Sequence, residues 1–396
     1  MNNKKLKVLD VFAGAGGFSL GFKLAGWDII GAIEQDNWAS ETFADNHTMT
    51  KVITDKLENI SDDNLVKTFN DSPNIILGGL PCQGFSICNK NAGNINDNRN
   101  SLFAEFIRVV KLFKSEYLII ENVPNLLKAK YYNNELIINV INQQLQKLGY
   151  HVYYDILEAT DYGIPQIRKR LFILGSIHPI KQPFPQPTHY VNETKLPIFN
   201  NIMKKCPTLW EAISDLPEIA AREGTEEMDY TKPAENPYQI QMRLGSPKVY
   251  NHLAMKHSKR TIERFSLMSP GDSLANLPEY LKPFKRNKQG TISDKIYDQN
   301  SRRMHPDKQC HTITASFYAN FVHPYQHRNF TAREGARIQS FPDWYIFKGK
   351  PTVVSQKLLQ REGRLAEKHL CQYNQIGNAV PPLLAKAIAE NLLQQI

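Results

Sequence analysis

The stretch Asn74-Ile-Ile-Leu-Gly-Gly-Leu-Pro-Cys-Gln-Gly-Phe-Ser86 decides how this chain is to be read. An apolar run ends in two glycines and then presents Pro81-Cys82 at a turn. Such a run predicts a buried strand, which sets the Cys82 thiol at the strand's carboxyl end. In open α/β sheets, ligands and chemistry collect at that edge. Taken alone, Cys82 has two readings: a nucleophile, or a small buried hydrophobe, the usual fate of a free cysteine.

Working outward, short apolar runs alternate with amphipathic stretches over the first 175 residues. Strands are predicted at Leu6–Phe12, Asp28–Glu34, Lys51–Ile53, Asn74–Leu77, Tyr117–Asn122, Val152–Ala159 and Arg170–Leu174. Helices are predicted at Phe18–Ala25, Trp38–Asn46, Asn64–Phe69, Ser101–Phe113 and Asn133–Leu148. Strands separated by helices imply an α/β, doubly wound, mostly parallel sheet. The prolines of Lys181-Gln-Pro-Phe-Pro-Gln-Pro-Thr188 break the pattern and mark a boundary. Residues 190–325 carry more charge, proline and glycine, and predict a smaller irregular domain. Helical character returns at Thr331–Ser340 and at Asn378–Gln394. The expected division is therefore 1–189, completed by 326–396, with 190–325 as a separate domain.

Composition narrows the class. Hydrophobic residues are 41% and aromatics 10%, enough for real cores. No apolar run approaches the roughly 18 residues of a membrane span, and the polar start Met1–Lys7 lacks a signal-peptide core. Cys82, Cys88, Cys206, Cys310 and Cys371 are scattered without a CxxC pair. That spacing argues against a disulfide framework or a metal site, and fits a reducing cytoplasm. The net charge of +9 is unevenly spread: residues 241–330 hold 15 Lys/Arg against 6 Asp/Glu. A basic window of this kind points to a polyanion partner, with a solvated charged surface as the plainer reading.

Asp10-Val-Phe-Ala-Gly-Ala-Gly-Gly-Phe18 joins the first strand to the first helix. Glycines there allow a tight turn and close approach of a ligand. Glu34, ending the next strand, can accept two ribose hydroxyls. The spacing is G-x-G-G, and no lysine stands beside it. A pyrophosphate is thus less suited to the loop than an uncharged or cationic ligand. Glu121-Asn-Val-Pro124 follows another strand and sets a carboxylate at the sheet edge. Gln166-Ile-Arg-Lys-Arg170 puts Arg168 and Arg170 on one side of an extended segment. Gln375-Ile-Gly-Asn-Ala-Val-Pro-Pro382 is read as opening the last helix, with Asn378 as its cap or as a ligand contact.

These motifs, in this order, resemble the DNA (cytosine-5)-methyltransferase family of bacterial restriction–modification type. Phe12–Phe18 is similar to the cofactor loop, Gly79–Ser86 to the nucleophile motif, Glu121-Asn-Val123 to the glutamate motif and Gln166–Arg170 to the arginine motif. Thr331–Asp343 and Gln375–Pro381 are similar to the two C-terminal motifs. The resemblance implies S-adenosyl-L-methionine as cofactor, held by Phe12, Gly14, Gly16, Gly17, Glu34, Asp55, Pro81, Leu102, Asn378 and Val380. Lys56 follows Asp55 where the family often has isoleucine. The resemblance implies Cys82 as nucleophile, with Glu121, Arg168 and Arg170 completing the catalytic group. It also implies a loop over Asn89–Asn100 closing on a flipped base, with Gln83, Ser86, Gly93 and Arg99 as its substrate-facing residues. The 190–325 domain becomes the target-recognition domain, with phosphate contacts expected from Lys282–Lys288 and Arg302-Arg303.

The expected partners are double-stranded DNA and, functionally, a restriction endonuclease; the expected form is a cytoplasmic monomer without a metal. Rival readings are an RNA cytosine-5 methyltransferase, a DNA-binding regulator with vestigial chemistry, and a nicotinamide dehydrogenase. The dehydrogenase would account for the glycine loop alone. Gln356–Leu370 reads as an additional helix of no assigned role.

Overall fold

The computed structural model describes residues 5–80, 100–130, 134–192, 203–285, 291–293, 301–352 and 356–396. It divides into two compact units. The first holds Met1–Tyr162, Arg168–Met203 and Ala379–Ile396; the second holds Gly163–Ile167 and Lys204–Asn378.

The first unit is built on a seven-stranded sheet. Its strands are β1 (Lys7–Val11), β2 (Asp28–Ile33), β3 (Lys51–Ile53), β4 (Ile75–Gly79), β5 (Tyr117–Asn122), β6 (His151–Glu158) and β8 (Lys169–Ser176). Their order is β3-β2-β1-β4-β5-β8-β6. The five strands β3, β2, β1, β4 and β5 pair in parallel; β8 runs antiparallel to both β5 and β6. The sheet is thus mostly parallel, as the alternation of elements predicts. Helices α1 (Gly17–Leu24), α2 (Asn37–Asn46), α3 (Asp62–Thr68), α4 (Asn100–Phe113) and α5 (Ile137–Lys147) connect the strands.

Alternation along β1 sorts the two faces. Leu9 and Val11 enter a core with Leu65, Phe69, Phe106, Ile107 and Ile141, from α3, α4 and α5. Asp10 points the other way, where Ser19 of α1 meets it. On that face α1 packs against the final helix, α13 (Pro382–Leu393). The approach is close because residue 21 is glycine: a Cβ there would lie 2.5 Å from the Pro382 carbonyl oxygen. The Trp27 indole N–H donates to the Ala389 carbonyl at 3.4 Å.

One boundary differs from expectation. The last helix does not begin at Asn378. Asn378 instead ends α12 (Gln372–Asn378), and α13 starts after Pro381, with Pro382 in its first turn. Proline disfavours helical backbone in the residue before it and suits the first helical position. The Pro-Pro pair therefore separates two helices. The extra stretch after residue 355 is likewise broken, into α11 (Gln356–Arg361) and a 3₁₀ turn at Leu365–Glu367. Gly363, with φ +68°, lies between them.

The second unit has little regular structure. An antiparallel pair, β9 (Gly224–Met228) and β10 (Val249–Leu253), sits with α6 (Leu209–Ile213), α7 (Pro237–Arg243), α8 (Lys259–Ser266), the one-turn α9 (Phe317–Asn320) and α10 (Ala332–Ile338). The two-residue strands β7 (Gln166–Ile167) and β12 (Cys310–His311) pair in parallel, as do β11 (Arg302–Arg303) and β13 (Phe321–Val322). Its interior is partly ionic. Arg337 lies fully buried between Asp215, at 2.9 Å, and Asp343, at 2.5 Å. Arg333 donates to the Tyr250 carbonyl at 2.7 Å, and Arg328 chelates Glu334.

This wiring explains why the division by compactness departs from the expected one. Residues 326–378, expected with the catalytic domain, belong to the second unit because α10 is tied by its arginines to α6 and β10. Among the described residues no helix is long and apolar enough to cross a membrane.

Two expected outcomes follow from this packing. Gly21→Val inserts atoms where the α13 backbone already stands, and should destabilise the protein by about 1–3 kcal/mol, read from the urea midpoint. The second concerns His252 and His323, which are buried and depressed by that burial to about 4 and about 3. Their folded values lie below the unfolded one, so their contribution is intact above about pH 6.5 and is lost as pH falls. Between pH 7 and pH 5 the urea midpoint should drop, at about 1–2 kcal/mol per histidine. The drop should shrink in His252→Gln.

Candidate functional site

The site is assembled at the carboxyl edge of the sheet in the first unit. β1 ends at Val11, and the chain then turns through left-handed backbone: Phe12 at φ 63°, Gly14 at 54° and Gly16 at 82°. Glycine adopts such angles freely; a phenylalanine there is strained and must be held by its surroundings. Glu34, just past β2, does much of that holding. One of its carboxylate oxygens accepts from Gly14 N at 2.8 Å and the other from Asp36 N at 2.8 Å. Burial raises its pKa, against which the two backbone bonds act. Asp36 in turn caps α2 by accepting from Ala39 N at 3.0 Å.

Glu34, predicted as the ribose acceptor, is thus also the clamp of the glycine loop. Each carboxylate oxygen has more than one lone-pair direction, so the two tasks are compatible. A Cβ built on Gly14 meets nothing within 4 Å, which leaves open space over the loop. Phe12 and Leu102 are half-buried against the sheet core, and Val380 is buried. Asp55 accepts from Lys56 N at 2.7 Å and from the Asn59 amide at 2.9 Å, closing an exposed turn. Asn378 belongs to the second unit.

Part of the expected catalytic group lies among the described residues. Glu121 on β5 stands in register with Gly79 of β4 and Phe172 of β8. Arg170 Nε reaches Glu121 Oε1 at 2.9 Å, with both side chains largely buried. Arg168 takes a different course. It is buried, and its Nη2 donates to the Ala379 carbonyl at 3.1 Å. Burial first, and the nearby Arg170 cation second, lower its pKa. Pro81, Cys82, Gln83, Ser86, Gly93 and Arg99 lie outside the described residues. Leu80, the last described residue before them, is held by its carbonyl, which accepts from the Asn122 amide at 3.3 Å. Asn122 Oδ1 also accepts from Val123 N at 2.9 Å.

The prediction from sequence missed two features. Asn122 couples the ends of β4 and β5; its place inside Glu121-Asn-Val123 was the available signal. Asp10 is fully buried under the loop. The Ser19 hydroxyl donates to its Oδ2 at 2.6 Å, while its Oδ1 has no hydrogen-bond partner among the described residues. Burial raises its carboxyl to about 7.

A family model described as C-5 cytosine-specific DNA methylase matches residues 6–394. The chain belongs to this family. It is a DNA cytosine-5 methyltransferase. The methylase is 45% identical over 391 residues to the type II methyltransferase M.DdeI of Desulfomicrobium norvegicum, covering 98% of this chain and 88% of that one. It is 33% identical to the type II methyltransferase M1.HphI of Haemophilus parahaemolyticus, covering 98% and 87%. Among solved structures, a putative DNA modification methyltransferase encoded within an E. coli prophage matches with a TM-score of 0.71 at 26% identity, over 99% of both chains.

Asn122→Ala in this methylase should lower stability by about 1–3 kcal/mol, since it removes one buried and one partly buried hydrogen bond. Methyl transfer should fall more than stability alone accounts for, because the segment leading to Cys82 loses its anchor. Urea denaturation and a tritiated-methyl transfer assay read the two effects separately.

Proposed function

We propose that this methylase transfers a methyl group from S-adenosylmethionine to carbon 5 of a cytosine flipped out of duplex DNA, with Cys82 as nucleophile. The observation that carries the reading is the Glu121–Arg170 pair at 2.9 Å, standing opposite the end of β4 from which Cys82 departs. When bound, S-adenosylmethionine supplies an electrophilic methyl on a positively charged sulfur. The cradle fits such a group: open space above Gly14, the buried carboxylates of Glu34 and Asp10, and no lysine or arginine in the loop. Phe12, Gly14, Gly16, Gly17, Glu34, Asp55, Pro81, Leu102, Asn378 and Val380 would hold it.

The residue types suit the reaction. Carbon 5 of cytosine is a weak nucleophile until the Cys82 thiolate adds to carbon 6 and makes it enamine-like. Carbon 5 would then be able to take the methyl, the bonding pair of the methyl–sulfur bond staying with sulfur. Loss of the carbon-5 proton and departure of the thiolate restore the ring. Sulfur both adds and leaves well, where a serine hydroxyl would be poorer at both. Glu121 would donate a proton to N3 as the thiolate adds and accept from the exocyclic amine. Arg170 would hold Glu121 in place and contact the base oxygen. Arg168, from its bond to the Ala379 carbonyl, would position the segment leading into α13. Flipping exposes a carbon that stacking otherwise hides, and the loop over Asn89–Asn100 would close on the extruded base.

The second unit would read the DNA. Its basic window divides between surface and interior. Arg303 was expected at a phosphate but is buried, donating to the carbonyls of Phe265, His323, Pro324 and Gln326. Arg328 is likewise buried on Glu334. Phosphate contacts therefore fall to exposed cations such as Lys256 and Lys259. Lys282 and Lys285 are half-exposed, and 286–288 lie outside the described residues. The type II relatives support pairing with a restriction endonuclease of the same site.

Bisulfite sequencing of DNA from cells expressing the methylase should show protected cytosines within one recurring sequence. Cys82→Ala should abolish the protection while leaving the urea midpoint within about 1 kcal/mol of wild type. Methylation persisting in that variant overturns the mechanism, and transfer to tRNA but not to duplex DNA overturns the substrate.

A further inference from the structure

Two buried carboxyls lie at the glycine loop, and their surroundings differ. Both oxygens of Glu34 accept backbone N–H groups. Among the described residues Asp10 accepts from Ser19 alone, through its hydroxyl and its backbone N–H, and Oδ1 is buried without a hydrogen-bond partner. An ionised carboxylate so poorly solvated costs free energy unless a cation faces it. Among the described residues, the charged and titratable groups around it supply none. Glu34 is a second buried carboxyl, whose charge opposes ionisation of Asp10. The neighbours of Asp10 in register, Ala32 on β2 and Leu77 on β4, are apolar. On α1, Lys23 is exposed and donates to the Asn46 carbonyl. On α13, Lys386 pairs with Glu390 at 2.6 Å. His47, bonded to the Gly16 backbone, is kept uncharged by burial.

We propose that Asp10 is a positioning residue that matches charge with the cofactor: it keeps its proton in the empty loop and releases it when the sulfonium cation of S-adenosylmethionine enters. The inference rests on S-adenosylmethionine being the cofactor. No covalent bond changes; the Asp10 carboxyl proton passes to solvent, and the carboxylate left behind faces the incoming positive sulfur. The empty site then avoids two adjacent buried anions. The filled site gains a counter-charge that discriminates the charged methyl donor from its uncharged demethylated product, S-adenosylhomocysteine. At low pH the proton must be removed before the donor is well held, so donor affinity rises with pH through the titration of Asp10. Affinity for the uncharged product does not.

The test measures binding of S-adenosylmethionine and S-adenosylhomocysteine by calorimetry to the full chain between pH 6 and pH 8. Wild-type affinity for S-adenosylmethionine should rise about five- to tenfold over that range, as a group titrating near neutrality requires. Affinity for S-adenosylhomocysteine should stay nearly level. Asp10→Asn keeps an acceptor for Ser19 and should flatten the donor profile. In paired buffers of different ionisation heat, wild type should release up to about half a proton per donor bound at pH 7; the variant should release less. Equal profiles and equal proton counts in wild type and Asp10→Asn overturn the inference while leaving the cofactor reading intact. Failure of both ligands to bind at any pH overturns the cofactor reading and this inference with it. If Asp10→Asn does not fold, Ser19→Ala serves. It removes the bond that favours the ionised form, so the wild-type midpoint should move to higher pH. An unmoved midpoint overturns the inference.

Discussion

The bonds from Gly14 N and Asp36 N to the two oxygens of Glu34 are the constraint on which the first unit's chemistry depends. They join the loop after β1 to the turn after β2. The loop is held in left-handed backbone that a phenylalanine at position 12 would not otherwise keep. Because β1 and β2 are parallel neighbours, both loops emerge at the same edge. Next to them, β4 delivers the chain toward Cys82, and β5 delivers Glu121. A parallel sheet thus collects the glycine loop, the Glu121 carboxylate and the end of β4 at one edge from residues that are distant in sequence. Asn122 performs for β4 and β5 what Glu34 performs for β1 and β2: one short polar side chain fixes where the next strand's loop begins.

Much of this was legible in the sequence, for identifiable reasons. Strand positions in the first unit follow apolar runs that have no other use, so Lys51–Ile53 and Tyr117–Asn122 fall where they were predicted. The direction of β8 was not legible, since an antiparallel strand beside parallel ones carries the same apolar pattern. The start of the last helix was misplaced because Asn378 is a good cap by type, while the Pro381-Pro382 step that overrules it is a backbone effect. Asp10 passed unremarked because a carboxylate in a strand reads as exposed until the element covering it is known. That element includes α1, whose Ser19 lies nine residues on.

The second unit was the least legible, and charge is the reason. Counting lysines and arginines treats each as a surface cation. Arg303, Arg328, Arg333 and Arg337 instead point inward and bind carbonyls or carboxylates. Burial raises the Glu334 carboxyl, yet Arg328 overrides that and holds it well below the usual range. Such pairs add little net stability, since desolvation offsets their attraction, yet removing one partner costs about 3–5 kcal/mol. A unit with few helices and short strands lacks the regular surfaces that pack apolar side chains by period. Guanidinium groups, each with five donors in a fixed plane, can tie loop carbonyls into one arrangement. That need explains why residues 326–378 belong with 204–325, a division that no local pattern announces.

The same accounting bears on what remains for DNA. Once the inward arginines are subtracted, the cations free to meet phosphates are mainly lysines, which bind as flexible point charges. Lysine–phosphate contacts position a duplex without reading it. Discrimination between bases must then come from donors and acceptors held rigidly enough to reject the wrong edge. The buried arginine lattice supplies that rigidity to the loops it ties down. On the proposed reading, the basic excess of this chain divides into two populations: arginines that tie the second unit's loops together, and lysines that would hold the DNA.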